Sequence, residues 1–296
     1  MLGGAYIDML RALIEVFISG IINGSVYAII AVGMTLVYGV TRVFNFAYGS
    51  FFSLGGYFAW LFFSLKFNYL LVFASVIPAM FLVGLLTEKS VIYPLRGKKN
   101  WETLTVMVTL GLALFLDNLY LVIFGPFVKE IPILFKGYVK IQGLVVTIQD
   151  IAVFIIAISI MVILMLFLGR SRQGMAIRAV AQDMTGAEIV GIPKDHIFGY
   201  TFAVSAVLVG VGSILLAPKY FVSPLGGWDI LVKGWVITAF GGMGSIRGSL
   251  FAAFILGIIE AMVGWTFGFT WTLIAWFVVL LLTLFVRPQG LFGVYA

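Results

Sequence analysis

Gly169 to Asp195 reads GRSRQGMAIRAVAQDMTGAEIVGIPKD, and it is the one long polar interruption in the C-terminal half of a very apolar chain. Ile177, Val180, Ala181, Met184 and Ala187 recur at three- and four-residue steps, which places them on one face of a helix. Arg178, Gln182, Asp183, Thr185 and Glu188 take the other directions. Gly191 followed by Pro193 is a helix-stop signal. The spacing predicts one short amphipathic helix over 177–190, about three turns at 3.6 residues per turn. Arg170, Arg172 and Arg178 place it on the cytoplasmic side by the positive-inside bias. Two readings of its apolar face stand side by side: docking into a groove on a partner, or lying on the lipid surface.

Working outward, the rest of the chain is membrane. Of 296 residues 62% are hydrophobic and 10% charged, against roughly 25% charged in ordinary soluble domains. Mean hydropathy is +1.17. The 28 Phe and 7 Trp suit lipid-facing and interfacial positions. The net charge of +6 is dispersed between apolar runs and does not form a nucleic-acid footprint. There is no cysteine, hence no disulfide, thiolate metal site or cysteine nucleophile. A single histidine, His196, leaves little for a metal site or a catalytic triad. The N-terminal apolar run continues to about Val40 with Glu15 inside it, too long for a signal-peptide core.

Apolar segments fall at roughly 9–39, 48–65, 69–92, 103–125, 150–169, 197–217, 229–245, 248–267 and 270–287, and a span needs about 20 residues. These predict an all-α polytopic protein with about 8–9 membrane helices and at least one broken helix. The first segment is too long for one straight perpendicular helix, so a steep tilt or a break near Gly20, Asn23 and Gly24 is expected. The segment 229–245 contains Lys233 and several glycines, which leaves a re-entrant half-helix as its alternative. Arg96, Lys98 and Lys99 put the 93–101 link inside. Counting from there, 126–149 lies outside, 170–195 inside, the N-terminus outside and the RPQG tail inside. Lys129, Lys136 and Lys140 in the external loop run against this map. That loop alternates β-branched and aromatic residues between Pro132, Gly137 and Gly143, a hairpin pattern. No separate soluble domain fits, so 1–296 reads as one transmembrane unit.

No phosphate-cradling Gly-x-x-x-x-Gly-Lys-Ser/Thr run occurs, and no set of residues for an enzyme's chemistry can be assembled. Glu15, Asp117 and Glu260 fall within apolar segments, where carboxylates mark function by default. Their plainer roles are an interfacial position for Glu15 beside Arg11 and interhelical hydrogen bonding for Asp117 beside Asn118. Two glycine-rich stretches carry more: YGVTRVFNFAYGSFFSLGGY (38–57) and AFGGMGSIRG (239–248). Glycine permits close helix approach or backbone unwinding, and broken membrane helices are tolerated where freed backbone lines a cavity. Asn45 in the first stretch, and Gly-Met-Gly-Ser with Arg247 in the second, are placed to bind such backbone. Close packing without substrate contact is the other reading. Their similar placement in the two halves hints at an internal repeat.

Four stretches resemble permeases of branched-chain amino acid ABC importers. GSVYAIIAVGMTLVYGVTRVFNFAYGSFFSLGGY (24–57) looks like the family's first signature, and RAVAQDMTGAEIVGI (178–192) like its cytoplasmic coupling loop. AFGGMGSIRG and the tail RPQGLFG (287–293) match later signatures, in order and at suitable spacing. The chain looks like the shorter of the two paired permeases. The resemblance implies a second homologous permease subunit, two cytoplasmic ATP-binding subunits and an extracytoplasmic substrate-binding protein, in the plasma or inner membrane of a prokaryote. It implies no cofactor on this chain, ATP being used by the partners, and no metal. Arg178, Val180, Ala181, Asp183, Met184, Ala187, Glu188 and Gly191 become candidates for ATPase coupling. Asn23, Asn45, Tyr48, Gly49, Gly241, Gly242, Gly244 and Ser245 become candidates for the path or its hinges. Tyr48 stands where the family usually has histidine, so urea, short amides or sugars stay open as substrates. An ion-coupled secondary transporter, resting on the intramembrane acids, is the alternative from another class.

Overall fold

The structure is a computed structural model that describes residues 2–141 and 143–293. In chain order it holds α1 (Leu2–Thr41), α2 (Tyr48–Ser64), α3 (Tyr69–Thr87), α4 (Trp101–Phe124), the hairpin β1 (Tyr138–Ile141) and β2 (Leu144–Thr147), α5 (Ile148–Arg170), α6 (Arg172–Gln182), α7 (Met184–Ile189), α8 (Lys194–Tyr220), α9 (Gly227–Gly241), α10 (Ile246–Thr266) and α11 (Thr272–Val286). A π turn (Glu88–Ile92) and a 3-10 turn (Tyr93–Leu95) extend α3. All nine apolar segments read from the sequence are helices. Seven are long and apolar enough to cross a membrane. The other two, α2 with 17 residues and α9 with 15, reach only about 26 and 22 Å at 1.5 Å per residue, short of a hydrocarbon core of about 30 Å.

The break expected near Gly20–Gly24 is absent, because α1 runs unbroken for 40 residues. Its glycines serve packing instead. A Cβ on Gly20 would lie 2.7 Å from the Ile258 Cα, and one on Gly24 3.0 Å from the Ala253 carbonyl. Bare backbone here lets α10 lie against α1 along most of its length. The breaks lie at non-helical segments of bends and turns, 42–47 before α2 and 221–226 before α9.

Burial separates centre from rim. In α8 83% of the apolar window is buried and in α1 72%, against 22% in α4 and 11% in α11. So α1 and α8 form the core, and α3, α4, α5 and α11 turn aliphatic faces outward to lipid. Leu82 of α3, Val122 of α4, Ile163 of α5 and Phe285 of α11 are exposed. Such a rim suits a solvent of acyl chains.

The two short helices belong to segments that run between the two ends of the bundle. Lys129, in the loop after α4, pairs its backbone with Val222 at one end of the bundle. Gly244, after α9, faces Gly39 near the C-terminal end of α1. The chain from 222 to 244 therefore goes from one end to the other, through a turn at 224–226 and then as helix. The 229–245 segment thus runs toward the end of the bundle where α1 finishes. The first short helix does the same in reverse: the Phe46 N–H donates to Thr109 Oγ1, two turns inside α4, before α2 begins.

Candidate functional site

The two short helices start inside the bundle, and their first turns touch. A Cβ on Gly49 would lie 2.5 Å from the Gly227 carbonyl oxygen, and one on Gly227 would overlap the Gly49 carbonyl. Asp117 of α4 sits at this meeting point, 3% exposed. Its Oδ1 accepts from Ser50 Oγ at 2.7 Å and its Oδ2 from Trp228 Nε1 at 2.8 Å. Tyr120 OH donates to the Ser50 carbonyl. Ser50 and Trp228 both lie in first turns, where the partial positive charge of a helix N-terminus favours an anion. Asp117 is thus satisfied by hydrogen bonds between helices, the plainer of its two sequence readings.

The segment that feeds α2 is held on several sides. Asn45 Oδ1 accepts from the Ala47 N–H at 3.0 Å, the backbone role read from the sequence. Phe46 packs edge-on against Trp235 of α9, with ring centroids 4.4 Å apart, and Phe44 packs between Tyr38 and the same indole. Tyr48, 1% exposed, donates its hydroxyl to the Ile30 carbonyl of α1 at 2.7 Å. Arg42 has φ of 58° and sends Nη2 to the Ala181 carbonyl of α6 at 3.3 Å.

The second glycine stretch closes the α9–α10 turn. Gly241 and Gly248 pack backbone to backbone, and a Cβ on Gly241 would lie 2.5 Å from the Gly248 carbonyl carbon. Gly242 and Gly244 have φ of 104° and 84°, a left-handed region that glycine enters without steric cost. Ser245 Oγ accepts from the Gly248 N–H at 3.1 Å and caps α10. The RPQG tail folds back on this turn, with Leu291 N–H donating to the Phe240 carbonyl and Phe292 N–H to the Gly241 carbonyl. Asn23 lies apart from both junctions. It receives a hydrogen bond from Lys219 Nζ at 3.2 Å and lines a cavity near the hairpin.

Two features escaped the sequence. Lys233, which made α9 look doubtful, is paired with Glu260 of α10 at 2.6 Å and also donates to Tyr27 OH at 2.9 Å. The rings of Tyr27, Tyr220 and Trp276 surround its ammonium within 5.8 Å. Glu15 is also accounted for, accepting from the Val145 N–H of β2 at 2.7 Å.

The polar stretch forms two helices rather than the single one expected. Asp183 adopts extended backbone and caps α7, accepting from the Thr185 N–H at 3.0 Å. The expected stripe is also divided. Ile177, Val180 and Ala187 are buried against the protein's own bundle, Ala181 and Met184 are half-buried, and Arg178, Asp183 and Glu188 are exposed. Glu188 pairs with Lys194 at 2.8 Å, and Gly191 ends the unit with φ of 85°. The most exposed apolar groups of this stretch are Ile189, 81% exposed, and Val190, 75% exposed, with Met175 of α6 at 45%. Ile189 and Val190 follow the stripe directly in sequence and have no place on it, which is why the periodicity missed them. Arg96 braces the same end, pairing with Glu88 and, at 2.9 Å, with Asp195 at the start of α8. Burial pulls its guanidinium below the ordinary value, and the two carboxylates oppose this.

Seven apolar helices long enough to span, with two shorter ones starting inside the bundle, make this a polytopic helical membrane protein. Residues 16–286 match the family described as "Branched-chain amino acid transport system / permease component", and the chain belongs to that family. It is 30% identical over 295 residues to the high-affinity branched-chain amino acid transport system permease protein BraD of Pseudomonas aeruginosa, covering 95% of each chain. It is 29% identical to LivH of Escherichia coli K12 over 93% of this chain and 94% of the relative. A probable LivH of Methanocaldococcus jannaschii is 26% identical over 93% of this chain. The solved PsaBC from Streptococcus pneumoniae in complex with Fab aligns over 98% of this chain at 17% identity with a TM-score of 0.48, a likeness too loose to carry weight.

Proposed function

We propose that this chain, beside a second homologous permease subunit, forms the translocation path of an ABC importer for branched-chain or related amino acids. Two cytoplasmic ATPases drive it, and an extracytoplasmic binding protein delivers the substrate. The observation that carries the coupling is the contact of Arg42 with the Ala181 carbonyl. It ties the helix pair α6–α7 to the non-helical segment that leads into α2. A displacement of the pair by an ATPase is then passed through Arg42 to Phe44 and Phe46, and through Trp235 to α9. Both short helices meet at Gly49 and Gly227, so a shift at either one moves the other. This is a route for alternating access without a titrating group in the path.

The ATPase contact is assigned to the outer face of α7, with Ile189 and Val190 as its apolar centre and Asp183 and Thr185 at its rim. Burying a side chain of this size contributes about 1.5–3 kcal/mol, and a buried charge in its place costs several more. Ile189→Asp is expected to release the ATPase during co-purification with the tagged permease and to abolish ATP-dependent uptake of labelled leucine into proteoliposomes. Unchanged co-purification and uptake would refute this surface as the coupling site and favour α7 resting on lipid.

A further inference from the structure

At the end of the bundle that carries the hairpin, a cavity of about 420 Å³ lies between α1, α5, α8 and the segment before β1. Its volume is in the range of small-molecule sites, roughly 300–1,000 Å³. Ile22, Val153 and Leu216 give it an aliphatic wall, and Lys136, Lys219 and Asp150 add charge of both signs. Lys219 donates to Asn23 Oδ1 at 3.2 Å, and Asp150 Oδ2 accepts from Thr147 Oγ1 at 2.8 Å. Among the described residues neither lysine is ion-paired with Asp150. Gln149, also on the lining, uses its Oε1 for the Leu134 and Phe135 N–H groups, while its Nε2 is buried without a partner. The other two lysines of the loop are engaged elsewhere, Lys129 over the Trp60 ring and Lys140 over the Tyr138 ring.

Opposite charges held apart beside an aliphatic wall match the zwitterion of an aliphatic α-amino acid. We propose that this cavity is a reception site on the permease itself for such an amino acid. Its ammonium meets Asp150, its carboxylate meets Lys219 and Lys136, and its side chain lies on Ile22, Val153 and Leu216. The site rests on the amino-acid import reading above, and it adds a binding step on this chain between delivery and passage. A ligand carboxylate near a lysine, and an ammonium near a carboxylate, each form a charge-assisted hydrogen bond of the stronger kind.

The test is equilibrium binding of tritiated L-leucine to the complex of both permeases and ATPases in nanodiscs, without the binding protein. Isoamylamine, which lacks the carboxylate, and isocaproate, which lacks the ammonium, serve as competitors. Wild type should bind leucine saturably and prefer it to both. Lys219→Gln should weaken leucine about tenfold and erase the preference over isoamylamine, and Asp150→Asn should do the same for isocaproate. Lys219→Arg should restore the wild-type pattern. No saturable binding at millimolar leucine, or binding that neither variant alters, overturns the site. Uptake of leucine with the binding protein present is measured on the same complex. Uptake without variant-sensitive binding removes the site alone. Variant-sensitive binding without uptake of any aliphatic amino acid removes the import reading and keeps the site.

Discussion

A lysine inside an apolar helix counts against a membrane position until its partner is found. For Lys233 the partner is Glu260, 27 residues on, at the facing position of α10. That separation crosses a turn and part of a second helix, so no local pattern in the sequence links the two. Removing one member of a buried pair leaves an uncompensated charge, at a cost of about 3–5 kcal/mol, whereas replacing both by apolar groups is often near neutral. Lys233→Met should therefore lower the thermal unfolding midpoint of the purified complex markedly, and Lys233→Met with Glu260→Met should recover most of the loss. A double variant no better than the single one would show that Tyr27 and the aromatic ring cluster, not the ion pair, hold α9 to α10. Asp117 is the opposite case. Its neighbour along the chain is Asn118, but its actual donors, Ser50 and Trp228, are 67 and 111 residues away. Asn can keep one acceptor for them, so Asp117→Asn should lose about 1–3 kcal/mol of stability and leave the pH profile of ATP-dependent uptake unchanged. An altered profile, or a proton-gradient requirement in wild type, would return the secondary-transporter reading.

At the scale of elements, periodicity finds every apolar helix, with α2 starting at Tyr48 as read and α9 two residues earlier than read, but it does not show that α1 runs unbroken past Gly20 and Gly24. The glycines of 38–57 and 239–248 were legible as special, but the sequence alone could not say that Gly49 meets Gly227 or that Gly241 meets Gly248. Such close approach is a property of two elements at once. Because a Cβ at Gly227 would overlap the Gly49 carbonyl, Gly227→Ala should force α2 and α9 apart and reduce both assembly yield and uptake. Normal yield and transport would mean that the junction opens readily. In the α6–α7 pair, the periodic stripe is apolar as its spacing predicts, but Ile177, Val180 and Ala187 on it are buried against the bundle. A face that repeats every three or four residues satisfies the protein's own bundle as well as it does a partner, and sequence does not distinguish them. Val180, 2% exposed, therefore differs from Ile189. Val180→Asp should prevent folding of the permease itself, seen as loss of monodisperse protein, whereas Ile189→Asp should leave it folded and alone. Asp183→Ala removes the α7 cap, at about 0.5–2 kcal/mol, and should weaken co-purification without abolishing it.

On the scale of the whole molecule, helix direction sorts the loops between two ends, and charge bears on which end faces the cytoplasm. The helix pair, the Arg96 brace and the start of α10 gather at one end, because Arg42 reaches Ala181, Arg96 reaches Asp195 and Gly39 faces Gly244. The hairpin, Lys129 and Val222 mark the other, where Glu15 holds β2. The start of α1, near Glu15 and the hairpin, and the tail after α11, which folds on the α9–α10 turn, then lie at opposite ends. The first end carries Arg42, Arg96, Lys98, Lys99, Arg170, Arg172 and Arg178, and the proposal that this end faces the cytoplasm rests on that excess and the positive-inside bias. The loop lysines that opposed this assignment are spread over a ring contact each for Lys129 and Lys140 and the cavity for Lys136, so they form no compact basic cluster. Since the chain has no cysteine, orientation can be read from single introduced thiols. Lys98, Lys140 and Arg172 are exposed, so replacement disturbs little packing. In intact cells a membrane-impermeant maleimide should label Lys140→Cys and leave Lys98→Cys and Arg172→Cys unlabelled until the membrane is permeabilised. The reverse pattern would place α6 and α7 outside, out of reach of any cytoplasmic ATPase, and would overturn the coupling mechanism together with the orientation.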